Sequence, residues 1–109
     1  MAKGNLPFES LTAATAAGPG AVNDLQDTLA LHSLTAQITD FAGTGNWTIR
    51  LEASLDNVNF VALQSQTLNE DVNIHFVGVV TFPARYVRAN LLLDSGVTSI
   101  TVTAWVASA

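Results

Sequence analysis

Residues 72–106 read as three nearly continuous strands, broken only at Phe82-Pro83-Ala84 and Asp94-Ser95-Gly96. Alternation with a period of two sends successive side chains to opposite faces of a strand, so apolar residues at every second position mark the buried side. Val72, Ile74, Phe76, Val80 and Phe82 share one face, with Gly78 as a bulge or close-approach point. Val87, Ala89, Leu91 and Leu93 follow, then Ile100, Val102, Ala104 and Val106.

The same pattern begins at Leu29. Leu34, Ala36 and Ile38 oppose Ser33, Thr35, Gln37 and Thr39. Trp47, Ile49, Leu51, Ala53 and Leu55 oppose Thr48, Arg50, Glu52 and Ser54, which predicts a strand with one dry and one wet face. Gly43-Thr44-Gly45-Asn46 and Asp56-Asn57-Val58-Asn59 carry turn chemistry, the second leading into Phe60-Val61-Ala62-Leu63. Six to eight antiparallel strands joined by short turns predict an all-β, single-domain antiparallel sandwich, jelly-roll-like in build.

Residues 1–28 are different. The tract Leu11-Thr12-Ala13-Ala14-Thr15-Ala16-Ala17-Gly18-Pro19-Gly20 is small and uncharged and ends in turn residues, so it is expected to form an extended arm or an edge strand. Residues 22–28 are expected to hold a helical turn or a loop, with Asn23 and Asp24 as caps. The expected organisation is therefore an arm or edge segment over 1–28 and a β-sandwich over 29–109.

With 109 residues, one modest core burying roughly two-thirds of the unfolded surface suffices. Charged residues are only 12% of the chain, against a usual share of about a quarter, which suggests that other protein covers part of the surface. Four basic residues against nine acidic ones give a net charge of -5, and Lys3, Arg50, Arg85 and Arg88 form no run, which argues against a nucleic-acid partner. There is no cysteine, so the core must hold without disulfides or thiolate sites. No secretory-type apolar stretch opens the chain and no run approaches the ~20 residues of a membrane span, so a soluble, unprocessed product with no membrane partner is expected.

Candidate chemistry is sparse. Glu70 and Asp71 are neighbours that repel each other rather than divide acid and base roles. His32 and His75 lie at strand positions without ligands at metal spacing and read as surface or rim residues. Asp40, Asp56 and Asp94 sit in turns, where aspartate caps backbone amides, and the 56–59 turn lacks the carboxylate density of a calcium site. No serine has a nucleophile-elbow context and no phosphate loop occurs. The chain is expected to be no enzyme, with no catalytic residue, metal or cofactor.

Trp47, Phe60, Phe76 and Phe82 are expected in the core. Trp105 is in phase with Ser99, Thr101 and Thr103, and Tyr86 with Arg88 and Asn90, so both aromatics face outward unless a bulge after Thr103 turns Trp105 in. Outward hydrophobes at Val77, Val79 and Leu92 mark contact with another layer or chain. Arg50, Arg85 and Arg88 are candidates to pair with a neighbour's acidic residues.

The phrase 51–63, followed by Pro83-Ala84-Arg85-Tyr86-Val87-Arg88-Ala89-Asn90 and by Ser99-Ile100-Thr101-Val102-Thr103-Ala104-Trp105-Val106, resembles small structural proteins of tailed bacteriophages and also discoidin-like jelly rolls. The common turn has glycine where this chain has Asn57, a residue that also enters positive φ. The resemblance implies a capsid decoration (cement) protein, made in the host cytoplasm and bound to the outside of the virion. Its implied partners are the major capsid protein and further copies of itself, as a trimer. The implied contact residues are Leu6, Phe8, Val77, Val79, Tyr86, Arg88 and Trp105, with residues 1–20 draped over or added as a strand to a neighbour. The rival readings are a carbohydrate-binding jelly roll using Trp105, Tyr86, Asp56 and Asn57, and a tail or baseplate component.

Overall fold

The computed structural model describes residues 7–77 and 82–109. Their strands are β1 (Phe8–Ala14), β2 (Gly18–Pro19), β3 (Asn23–Leu29), β4 (His32–Gly43), β5 (Trp47–Ser54), β6 (Val61–Leu68), β7 (Val72–Val77), β8 (Ala84–Leu93) and β9 (Val97–Ser108). They form two antiparallel sheets: sheet A in the order β1-β9-β4-β7, and sheet B in the order β2-β8-β5-β6 with β3 also pairing β8. The chain thus forms the expected β-sandwich.

The core lies between the sheets where the alternation placed it. Leu34, Ala36 and Ile38 of β4 meet Val102, Ala104 and Val106 of β9 on the inner face of sheet A, opposite Trp47, Ile49 and Leu51 of β5 and Val87, Ala89 and Leu91 of β8. Each is buried, and all belong to one cluster.

Residues 8–28 join this core. Of the two expectations for this segment, the edge strand holds from Phe8 onward: β1 pairs β9, and Leu11 and Leu25 are core residues alongside those after residue 29. The helical turn or loop expected over 22–28 is instead β3, paired with β8 through Asn23↔Val87 and Asp24↔Tyr86. Ser10 stitches the two sheets together at this edge. Its hydroxyl donates to the Ala21 carbonyl (2.7 Å) and accepts from the Ala89 N–H of sheet B (2.9 Å). The Ala21 N–H donates back to the Ser10 carbonyl (2.7 Å), and a Cβ on Gly20 would lie only 2.2 Å from that carbonyl oxygen, so glycine is needed for the approach.

The wet face of β5 needs correction at its far end. Glu52 and Ser54 are buried because in-chain partners satisfy them, as described below. Phe60 is likewise only half-buried, and it sits beneath Arg88 rather than in the core. Leu55 points into solvent, because the strand has already ended at Ser54.

Candidate functional site

The two outer faces of the sandwich differ in chemistry, and they divide the residues expected to make contacts. On sheet A, β9 runs between β1 and β4 and continues its register through Gln37↔Thr103, Ala36↔Ala104 and Thr35↔Trp105 with no bulge after Thr103. Trp105 therefore keeps the phase of Thr101 and Thr103 and is half-buried on the outer face. A transverse row crosses the sheet there, Glu9 beside Trp105, Trp105 beside Thr35, and Thr35 beside His75. The Thr35 hydroxyl and His75 Nδ1 are hydrogen-bonded at 2.7 Å, and the Thr12 hydroxyl donates to Glu9 Oε2 at 2.5 Å.

Around this row the outer positions of β4 and β9 are Ser33, Thr35, Gln37, Thr39, Thr101, Thr103 and Ala107. None carries a charge, and Glu9 on the edge strand is the nearest charged residue of the row. Phe8 lies half-buried against the core at the start of β1. Val77 pairs Ser33 through its backbone, whereas Leu6 and Val79 lie outside the described residues.

Sheet B carries Tyr86 and Arg88 on the other side of the molecule, so they share no surface with Trp105. Arg88 Nε donates to Glu52 Oε1 at 2.8 Å, Asn90 Nδ2 donates to Glu52 Oε2 at 3.1 Å, and the Arg88 guanidinium lies 3.8 Å over the Phe60 ring. Arg85 makes a two-pronged pair with Asp24 (2.8 and 3.1 Å) and leans over Tyr86 at 5.3 Å. Of the three arginines expected to reach for a neighbour's carboxylates, Arg85 and Arg88 thus have carboxylates of their own.

The rival glycan constellation is dispersed in the same way. Asp56 and Asn57 sit in the turn after β5, remote in the fold from the outer face of sheet A. Asp56 Oδ1 accepts from the Val58 and Asn59 N–H groups (2.9 and 2.8 Å), Oδ2 accepts from Asn59 Nδ2 (2.8 Å), and the Ser54 hydroxyl donates to Oδ1 (2.9 Å). These donors, the Asn59 backbone foremost, hold its carboxyl well below the usual carboxylate range. Asp56 is thereby a turn cap. Asn57 takes the positive φ (61°) expected of it.

His32 departs from the rim position expected of it. It is buried between β9 and the residues preceding β8, with Nδ1 at 2.6 Å from Ser108 Oγ and Nε2 at 3.0 Å from the Phe82 carbonyl. Nε2 donates to that carbonyl, so Nδ1 of the neutral ring accepts from the serine. Burial pushes the imidazole below its ordinary 6.5, against the opposing pull of the Phe82 and Leu29 backbone. Below pH 6.5 the unfolded chain takes up a proton that the folded chain resists, so the His32 contribution is complete above 6.5 and declines as the pH falls beneath it. The urea midpoint should drop between pH 7.5 and 5.5, and His32→Gln should flatten that change. An equal drop in the variant would assign it to other groups.

Among the described residues, no three His, Cys, Asp or Glu side chains come together to hold a metal ion. Leu55, expected on the dry face, and Val58 and Val61, to which sequence reasoning gave no contact role, stand exposed at the β5–β6 turn. The available signal was a pair of large apolar residues inside a turn whose polar neighbours had already claimed attention.

No protein-family model matches the chain, and no curated protein matches it in sequence. Solved structures do share its shape. PirA is similar at a TM-score of 0.50 and 10% identity, over 94% of this chain and 91% of that one. The C-terminal domain of a chitobiase from Bacteroides fragilis is similar at 0.53 and 19%, over 95% of this chain and 64% of that one. A protein of Bacillus endospore appendages, which form disulfide-linked pili, is similar at 0.51 and 13%, over 93% and 78%. At such identities the likeness is one of fold.

Proposed function

We propose that this chain is a non-enzymatic structural protein that attaches to the surface of a larger protein assembly. In its finer form, the proposal is a decoration protein on the capsid of a tailed bacteriophage, present as a homo-oligomer bound to the major capsid protein. The observation that carries the reading is the outer face of β4 and β9 in sheet A, an uncharged field of hydroxyl and amide side chains around Trp105, bordered by Glu9 on the edge strand, on a chain of net charge -5. Interface cores are depleted in charge and anchored by aromatic residues, and Trp105 supplies such an anchor on sheet A. The opposite face suits this role less, because it carries charge, and Arg85 and Arg88 are engaged within the chain.

The test is to count this chain against the major shell protein by quantitative mass spectrometry of purified virions, for the natural sequence and for Trp105→Ala. A copy number comparable to the shell protein is expected, with occupancy of the variant reduced at matched concentration. An anchor contributing about 2 kcal/mol corresponds to roughly 30-fold in affinity. Because Trp105 is only partly buried, the variant should lose about 1 to 2 kcal/mol of folding stability, less than a fully buried Trp. A few copies per particle would move the chain to the tail, and its absence would reject the virion reading. Unchanged occupancy of Trp105→Ala would reject this face as the contact.

A further inference from the structure

The edge of sheet B says how copies of this chain meet, which deepens the homo-oligomer of the reading above without resting on its capsid partner or on the Trp105 face. β6 is the last strand in the order β2-β8-β5-β6 and, among the described residues, pairs only β5, so one side of its backbone presents a row of N–H and C=O groups with no described strand beside it. Natural edge strands are kept from pairing by charge, proline, shortness or bulges. β2 is two residues long and contains Pro19, β1 carries Glu9 and two register shifts, and β3 carries Asp24 and Asp27. β6 is eight residues long, Val61-Ala62-Leu63-Gln64-Ser65-Gln66-Thr67-Leu68, without a charge, proline or glycine, and its one register shift, at Leu63, leaves Gln64 to Leu68 regular. The other uncharged edge, β7, is shorter, at six residues, and follows directly on Glu70 and Asp71.

A second feature lies at the same edge. Among the described residues, three of the four exposed large hydrophobics are Leu55, Val58 and Val61, at 61%, 77% and 47% exposure. They stand on the turn that feeds β6. We propose that β6 is a self-association edge, where a second copy of this chain adds its own β6 antiparallel and merges two copies of sheet B into one.

The choice of a second copy rests on charge and on symmetry. An acidic chain of net charge -5 meets itself without repulsion only along a tract free of charge, and β6 provides one. A two-fold axis between Gln64 and Ser65 sets Gln64 opposite the partner's Ser65 and brings the Val61 end of each strand toward the partner's Leu68 end. Each exposed apolar turn then lies against the far end of the other copy's strand. Such a contact is isologous and closes on itself as a dimer.

Sedimentation velocity of the full chain over a concentration series tests this. The expected result is a species of twice the 11.5 kDa chain mass, with β6 amides protected from hydrogen exchange as the dimer forms. Ser65→Lys places like charges beside the two-fold axis at an exposed position, and it should weaken the dimer at least about tenfold while leaving the circular dichroism of the monomer unchanged. If that variant fails to fold, Gln66→Lys at the neighbouring exposed position makes the same comparison. A chain that stays monomeric throughout the series would overturn the proposal. So would a dimer or trimer indifferent to the lysine, and so would β6 protection that appears only with a different protein bound.

Discussion

Trp47→Ala is expected to cost roughly 3 to 5 kcal/mol of folding stability, the range for removing a fully buried Trp. Trp47 is 0% exposed at the start of β5, in register with Leu93 of β8 and Leu68 of β6. Its Nε1 also donates to the Glu70 carbonyl at 3.1 Å, tying the end of the β6–β7 connection to the core. Alanine leaves a large void under two neighbouring strands and frees that carbonyl. Domains of this size are stable by only about 5 to 15 kcal/mol, so the loss is a large share of the whole. At several degrees per kcal/mol, the melting temperature should fall by on the order of 20 °C. Trp47→Phe separates the two contributions, since it keeps most of the apolar volume and loses the hydrogen bond, and about 1 to 2 kcal/mol is expected. Urea titration of the three proteins measures both. A loss under 1 kcal/mol for alanine would mean that the void is refilled and that Trp47 is not the keystone its burial suggests.

Trp47 was legible because its neighbours two, four and six positions along are also apolar, and period two is the one signal that a strand between two sheets must carry. The same logic placed Trp105 correctly. Ile100, Val102, Ala104 and Val106 turn inward, and an unbulged register leaves Trp105 outside with Thr101 and Thr103. Where the signal was absent, the reading went astray for identifiable reasons. β1 and β3 include register shifts and positive φ values at Ala13 and Gln26, so their side chains do not alternate strictly and two strands resembled an arm and a loop.

Periodicity also says nothing about partners distant in sequence. Glu52 looks wet beside Arg50, yet it is buried because Arg88 and Asn90 from another strand satisfy it. His32 looked like a rim residue because Ser108 lies 76 positions away. The exposed turn and the bare edge of β6 were invisible for a third reason. Whether a strand has one neighbour or two depends on strand order, which alternation leaves undetermined.

The Glu52–Arg88 pair is where that blindness has the largest energetic consequence after Trp47. Glu52 is 6% exposed, and its carboxylate has one charged donor, Arg88 Nε at 2.8 Å, with Asn90 on the other oxygen. Arg88→Ala leaves the carboxylate nearly buried with a single neutral donor, and it also removes the cation from above Phe60. Breaking a buried pair from one side costs roughly 3 to 5 kcal/mol, and the partial exposure of Arg88 places this case at about 3. Removing both partners is a different matter, because two charges no longer need to leave water. The double variant Glu52→Leu with Arg88→Met should recover most of the loss, with a coupling of about 1 to 3 kcal/mol in the double-mutant cycle. Since Arg88 lies on sheet B, attachment through Trp105 should persist in every member of the cycle that remains folded. Attachment lost with Arg88→Ala at preserved folding would instead make the guanidinium a contact to the partner and move the interface to the other side of the sandwich.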